Sequence, residues 1–208
     1  MNKPIEFFFD VGSPAAYLAH MQIPRVLAET HSTVLFRPML LGGVFKGSGN
    51  TAPVGVKAQY NRLDLERSAR RLEIPLVINP FFPINTLQMM RAATAAQEDE
   101  LLSPYLTAVY RGMWVEGLNM GEREVLLGVL KSAGLNGEHL LARAEQPEVK
   151  QRLKDTTEEA VARGVFGALA RVDPPRAAHP DCGHPAPAGP HRALDQSGQH
   201  RPHRLGAA

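Results

Sequence analysis

A single cysteine, Cys182, stands in this chain of 208 residues. No intramolecular disulfide can form and no Cys-x-x-Cys pair exists, so dithiol redox chemistry is excluded. Aromatic residues make up only 6% of the chain, and no apolar run approaches the roughly 20 residues that a membrane-spanning helix needs. The opening "MNKPIEFFFDVG" brackets three phenylalanines between Glu6 and Asp10, which is far too short an apolar stretch for a signal-peptide core. The cytoplasm is therefore the expected compartment, and a membrane is not an expected partner. An excess of one charge is also missing. The formal net charge is +2, which speaks against nucleic acid as a partner.

What is present is enough apolar material, 44% of residues, for one soluble domain with a substantial core. "PIEFFFDVG" has the pattern of a central strand buried on both faces. From Pro14 to about Thr30 apolar residues recur at helical spacing, with Pro24 expected to kink or interrupt the helix. "STVLFRPML", Ser32 to Leu40, is rich in β-formers. Strand, helix and strand in this order predict a right-handed βαβ crossover with parallel strands.

Beyond residue 41 the sequence turns helical. Gly42 to Gly55, rich in Gly, Asn and Pro, reads as a loop. "RLDLERSARRLEI" reads as a helix, and "NPFFPINTLQMMRAATAAQ" as a loop followed by a helix that Asn85 or Thr86 caps. Ser103 and Pro104 are expected to cap and start another helix. "GEREVLLGVLKSAG" forms a further one, and a last helix runs from Pro147 to a left-handed stop at Gly164.

Ser13 and Pro14 stand where the first strand becomes the first helix. Serine there caps the helix through its side-chain oxygen, and proline suits the first helical position.

"FFFDVGSPAAYLA" resembles the opening of the 2-hydroxychromene-2-carboxylate isomerases and the related kappa-class glutathione transferases. "RPMLLGGVFKGSGNTAP", "NPFFPINTLQMMR" and "EEAVARGVFGA" match in the expected order, so the resemblance spans residues 5–168. It implies an α/β, DsbA-like thioredoxin fold interrupted by an α-helical insertion. Residues 1–40 then form the N-terminal βαβ unit, 41–155 the insertion and 156–168 the return to the thioredoxin-like part. The implied cofactor is glutathione, and the implied substrate is a small aromatic carboxylate. The implied reaction is conversion of 2-hydroxychromene-2-carboxylate to trans-o-hydroxybenzylidenepyruvate in aromatic catabolism, by thiolate addition, bond rotation and thiolate expulsion. A kappa-like transferase or peroxidase, or an inactive binding protein, are the alternatives.

The resemblance also implies site residues. Ser13 faces the glutathione sulfur, with Pro14 pre-setting the turn. Asn50 touches glutathione, and Lys46 lies near the carboxylate of the substrate or of glutathione. Asn85 is equally a helix cap and an active-site residue. Arg37 and Arg91 are plausible anion partners, His20 a surface or satisfied helix residue, and Tyr17, Tyr110, Met113 and Trp114 core. A homodimer is expected by resemblance alone.

The match stops after Ala168. Leu169 stands where the family pattern requires a cis-proline, and the hairpin and final helix (the C-terminal ββα portion) are missing. Residues 169–208 hold seven of the 17 prolines and five of the eight histidines, and no Lys, Glu, Ile, Met, Phe, Tyr or Trp. This composition predicts disorder, and it reads like translation of GC-rich DNA in a shifted frame. The spacing of His179, Cys182 and His184 is accidental rather than metal-binding. Loss of the hairpin predicts an unpaired edge on the first strand.

Overall fold

In the computed structural model, residues 4–168 and 170–172 are described. Three strands form the sheet: β1 Ile5–Phe9, β2 Val34–Pro38 and β3 Ala170–Val172, in the order β2-β1-β3. β1 pairs in parallel with β2, Phe7 opposite Phe36, and antiparallel with β3, Glu6 opposite Val172. The crossover between β1 and β2 is α1, Pro14–Thr30, as the sequence predicts. The β1 edge expected to be bare is instead paired by residues 170–172. The other expectations for the tail, including those on Leu169 and the His179–His184 cluster, fall outside the described residues.

Alternation along β1 splits the core in two. Phe7 and Phe9 stack at 5.8 Å and both meet the Phe36 ring edge-on, joining the larger cluster with Tyr17 and Trp114. Phe8 points the other way, onto Met39, Val44, Ala160 and Val165. Burial of each of these rings stabilises the fold by about 1.5–3 kcal/mol, which makes β1 the strand both layers depend on.

The helices after β2 are α2 Leu41–Ser48, α3 Val56–Arg71, α4 Leu87–Glu98, α5 Leu102–Trp114, α6 Arg123–Ser132, α7 Gly137–Ala144 and α8 Pro147–Ala162. α2 corrects the predicted loop. Glycines disfavour a helix by about 1 kcal/mol each, but here close packing offsets that cost. A Cβ on Gly43 would stand 2.9 Å from Thr157 Cγ2, and one on Gly47 3.0 Å from Val161. Asp10 also accepts the Leu41 amide at 2.8 Å, satisfying a donor at the helix start.

Three smaller differences have local causes. α1 runs unbroken through Pro24, which is exposed, so water can replace the missing backbone bond. α5 begins one residue earlier than Ser103, with Leu101 at the cap, and Pro104 still sits in the first turn where no donor is needed. α7 has no counterpart in the sequence prediction, although Asn136 Oδ1 caps it by accepting from the His139 amide at 3.0 Å.

Arg37, expected as an anion partner, is already matched inside the fold. It pairs with Glu159 and approaches Glu6 at 3.9 Å, while Arg163 donates to Glu6 at 2.7 and 2.9 Å. Both guanidinium groups lie over the Phe8 ring, at 5.4 and 5.3 Å. The hydrogen bond from Arg163 holds the Glu6 carboxyl below its ordinary 4.5. A depressed acid stabilises the fold fully above its unfolded value and loses that contribution as pH falls through the folded one. The stability difference between wild type and Glu6→Gln, from urea unfolding, is therefore flat near neutrality and shrinks below the ordinary 4.5. A difference that stays constant down to strongly acidic pH would contradict this.

Candidate active site

The carboxyl ends of β1 and β2 meet the N-terminus of α1, where an open α/β sheet leaves a crevice. Ser13 is the α1 cap and is only 5% exposed. Its Oγ accepts from the Ala16 amide at 3.2 Å and donates to the Ala168 carbonyl at 3.4 Å. The second contact is at the long, weak end of hydrogen bonding, so the hydroxyl proton is available to a better acceptor. Pro14 brings no donor. The next amide, that of Ala15, has no acceptor among the described residues.

Asn50, just past α2, donates from Nδ2 to the Phe166 carbonyl at 2.8 Å. Ser13 and Asn50 thus reach the same short segment, 166–168. Asn85 immediately precedes Thr86, the cap residue of α4, which makes no side-chain cap bond; Asn85 Oδ1 accepts the Leu87 amide at 3.0 Å, a turn ahead of the helix rather than the expected cap, and its amide nitrogen has no acceptor among the described residues. Lys46 is exposed and lines a groove between α2 and α8. Arg91 lines the same groove and pairs with Glu145 at 3.6 Å. No contact links Lys46 or Arg91 to Ser13.

The organising residue is one that motif reading passed over. Asp10, 1% exposed, accepts from the Gly12 amide at 2.9 Å, the Leu41 amide at 2.8 Å and the Thr86 hydroxyl at 3.1 Å. One carboxylate therefore ties the β1–α1 turn, the start of α2 and the start of α4 together. Burial pushes its pKa up, and these three donors pull against that shift. The available signal was an acid closing an apolar strand with no basic residue nearby in sequence. Gly12 completes the junction, since a Cβ there would lie 2.7 Å from Thr86 Cγ2.

An aromatic wall stands beside this turn. Trp114 donates from Nε1 to the Val11 carbonyl at 2.8 Å, and the Tyr17 hydroxyl donates to the Pro75 carbonyl at 2.8 Å. Phe82, half exposed, packs its ring 5.9 Å from Trp114. Tyr17, Tyr110, Met113 and Trp114 are all buried, the core role that the sequence favours. His20 is partly buried rather than on the surface, its ring 5.0 Å from Tyr110 and 5.9 Å from Phe36. Burial lowers its pKa, so it is a neutral member of that ring cluster.

A parallel β1–α1–β2 unit, an antiparallel β3, and a serine at the start of the first helix define a thioredoxin-like protein without a redox cysteine at that position. The chain belongs to the DSBA-like thioredoxin domain family, which it matches over residues 4–168. It is similar to a 2-hydroxychromene-2-carboxylate isomerase of Sphingobium xenophagum, 29% identical over 172 residues that make up 81% of this chain and 87% of that protein. It is equally similar to human glutathione S-transferase kappa 1, 29% identical over 188 residues and 83% of each chain. Among solved structures, a 2-hydroxychromene-2-carboxylate isomerase superimposes with a TM-score of 0.71 at 24% identity, covering 82% of this chain and 85% of the other. That last likeness establishes the fold. Among the described residues no helix is long and apolar enough to cross a membrane.

Proposed function

We propose that this protein is a cytoplasmic, glutathione-dependent isomerase that converts 2-hydroxychromene-2-carboxylate to trans-o-hydroxybenzylidenepyruvate. The observation that carries the reading is the Ser13 hydroxyl, held at the α1 N-terminus with its proton in a weak 3.4 Å contact beside the Ala15 amide, which has no acceptor among the described residues. These donors fit a thiolate. When bound, glutathione supplies the thiol that adds to the substrate and leaves again.

The protein's own groups prepare that step. Ser13 donates to the sulfur, and the α1 dipole favours its negative form. Pro14 pre-sets the first turn of α1, which orients the Ser13 hydroxyl and the Ala15 amide. Asn50, already bonded to the 166–168 segment, holds the peptide part of glutathione, and the free amide nitrogen of Asn85 supplies a further donor. Lys46 balances the carboxylate of the aromatic substrate or of glutathione. Phe82, half exposed and backed by the buried Trp114 ring, offers the aromatic surface. The exposed apolar stripe of α3, Val56, Tyr60 and Leu63, supports action as a homodimer.

Similarity to a kappa-class transferase supports a second reading, in which the thiolate attacks an electrophile and stays attached. One assay separates them. The purified chain is titrated with glutathione by calorimetry, then incubated with substrate while free thiol is followed. Saturable binding with product formed and thiol returned is the expected result. Thiol consumed in proportion to product favours the transferase, and a folded chain that does not bind glutathione would refute both.

A further inference from the structure

A groove of about 810 Å³ runs between α2, the first turns of α4, and α8. Nothing in the reaction above uses its floor, which consists of Leu40, Leu87, Leu153 and Val161. The lining is mainly apolar, interrupted by Gln151 and Thr157, and basic side chains outnumber the single acid, Glu158, around it. At the end near Pro147, Arg91 and Lys150 grip one carboxylate together, that of Glu145, at 3.6 and 2.7 Å. Further along α8, Lys154 lines the groove with its own partner Glu158 at 3.7 Å, and Lys46 edges the opposite wall.

Glu145 lies between α7 and α8, and its side chain is 56% exposed. An exposed pair of this kind is weak, so an incoming carboxylate can displace it and let Glu145 return to water. A small hydrophilic anion would gain nothing from the leucine and valine floor, and a neutral apolar molecule would leave the two cations unused. The combination complements a molecule with both parts. We propose that this groove is a binding site for a monocarboxylate with an extended apolar chain, of the fatty-acid type, whose carboxylate takes the place of Glu145 between Arg91 and Lys150. The site contains neither Ser13 nor Asn50; it shares Lys46 with the proposed isomerase site, but the carboxylate is held by Arg91 and Lys150, which that reaction does not use.

The test is calorimetric titration of the full chain with decanoate, with 1-decanol as the uncharged control. Saturable binding of decanoate and much weaker binding of decanol are expected. Arg91→Gln combined with Lys150→Gln weakens decanoate by about tenfold or more, the loss expected for charge-assisted hydrogen bonds. Glu145→Gln tightens it by freeing both cations, and Ser13→Ala leaves it unchanged. Circular dichroism confirms that each variant is folded; if the double variant unfolds, the direction of the Glu145→Gln effect decides. Absence of saturable binding, equal affinity for decanol, weaker binding in Glu145→Gln, or loss of binding in Ser13→Ala would overturn the proposal.

Discussion

Replacing Asp10 by alanine lowers the unfolding free energy by about 3–5 kcal/mol, because each buried donor left without an acceptor costs about 1–3 kcal/mol and relaxation recovers part of the sum. Three donors lose their partner at once, the amides of Gly12 and Leu41 and the hydroxyl of Thr86. They belong to three different elements, so the damage is to the junction rather than to any one helix. Asp10→Asn is the informative companion. Oδ1 serves Gly12 while Oδ2 serves both Leu41 and Thr86, and asparagine can offer an oxygen to only one of those sides. Its amide group must then face a donor. An intermediate loss is expected, measured for both variants by urea unfolding followed by circular dichroism. A loss for Asp10→Ala below about 0.5 kcal/mol, within the range of an ordinary surface change, would show that the junction does not depend on this carboxylate.

Ser13→Ala carries the largest expected effect on chemistry. Two consequences separate cleanly because the hydroxyl does two jobs. Loss of the bond from the Ala16 amide removes a cap and costs about 1 kcal/mol of stability. Loss of the donor to the bound sulfur raises the thiol pKa of glutathione in the complex by roughly one to two units, since a charge-assisted hydrogen bond contributes about 1–3 kcal/mol. At neutral pH the rate of thiol addition then falls about 10- to 100-fold. The sign of its pH dependence is distinctive. The variant regains rate as pH rises through the higher thiol pKa, whereas a merely loosened helix would stay slow at every pH. Ultraviolet thiolate absorbance of the complex across pH reports the shift directly. An unchanged thiol titration in a folded Ser13→Ala chain would mean that Ser13 only caps the helix.

The relation between Asp10 and Ser13 explains why the site needs a buried acid. The bonds that Asp10 makes go to two backbone amides and to the Thr86 hydroxyl. It sets the turn that presents Ser13, and Gly12 allows that turn to sit against Thr86. Trp114 holds the same turn from the side through the Val11 carbonyl.

Local pattern was enough for the elements whose identity depends on near neighbours. Phe7, Phe8 and Phe9 specify a strand buried on both sides because successive side chains face opposite layers, and Ser13–Pro14 mark a helix start because cap and proline act within one turn. Those signals placed the βαβ unit and the candidate hydroxyl, and the longer motifs placed the chain in its family. Elements that depend on distant partners were not legible. Gly42 to Ser48 has the composition of a loop, and becomes α2 only because α8, more than a hundred residues away, offers Thr157 and Val161 to a surface without side chains. Arg37 reads as a free cation until Glu6 and Glu159 are folded onto it.

The chain by itself thus determined its class, its first crossover and the serine at its head, since propensity, capping and alternation act over a few residues. Only the tertiary structure decided that Asp10 joins three elements, that Asn50 and Ser13 converge on residues 166–168, and that Arg91 and Lys150 share one carboxylate at the end of an apolar groove. Those facts follow from burial and from hydrogen bonds between groups dozens of residues apart, and no local pattern encodes which partner a buried or basic group will meet.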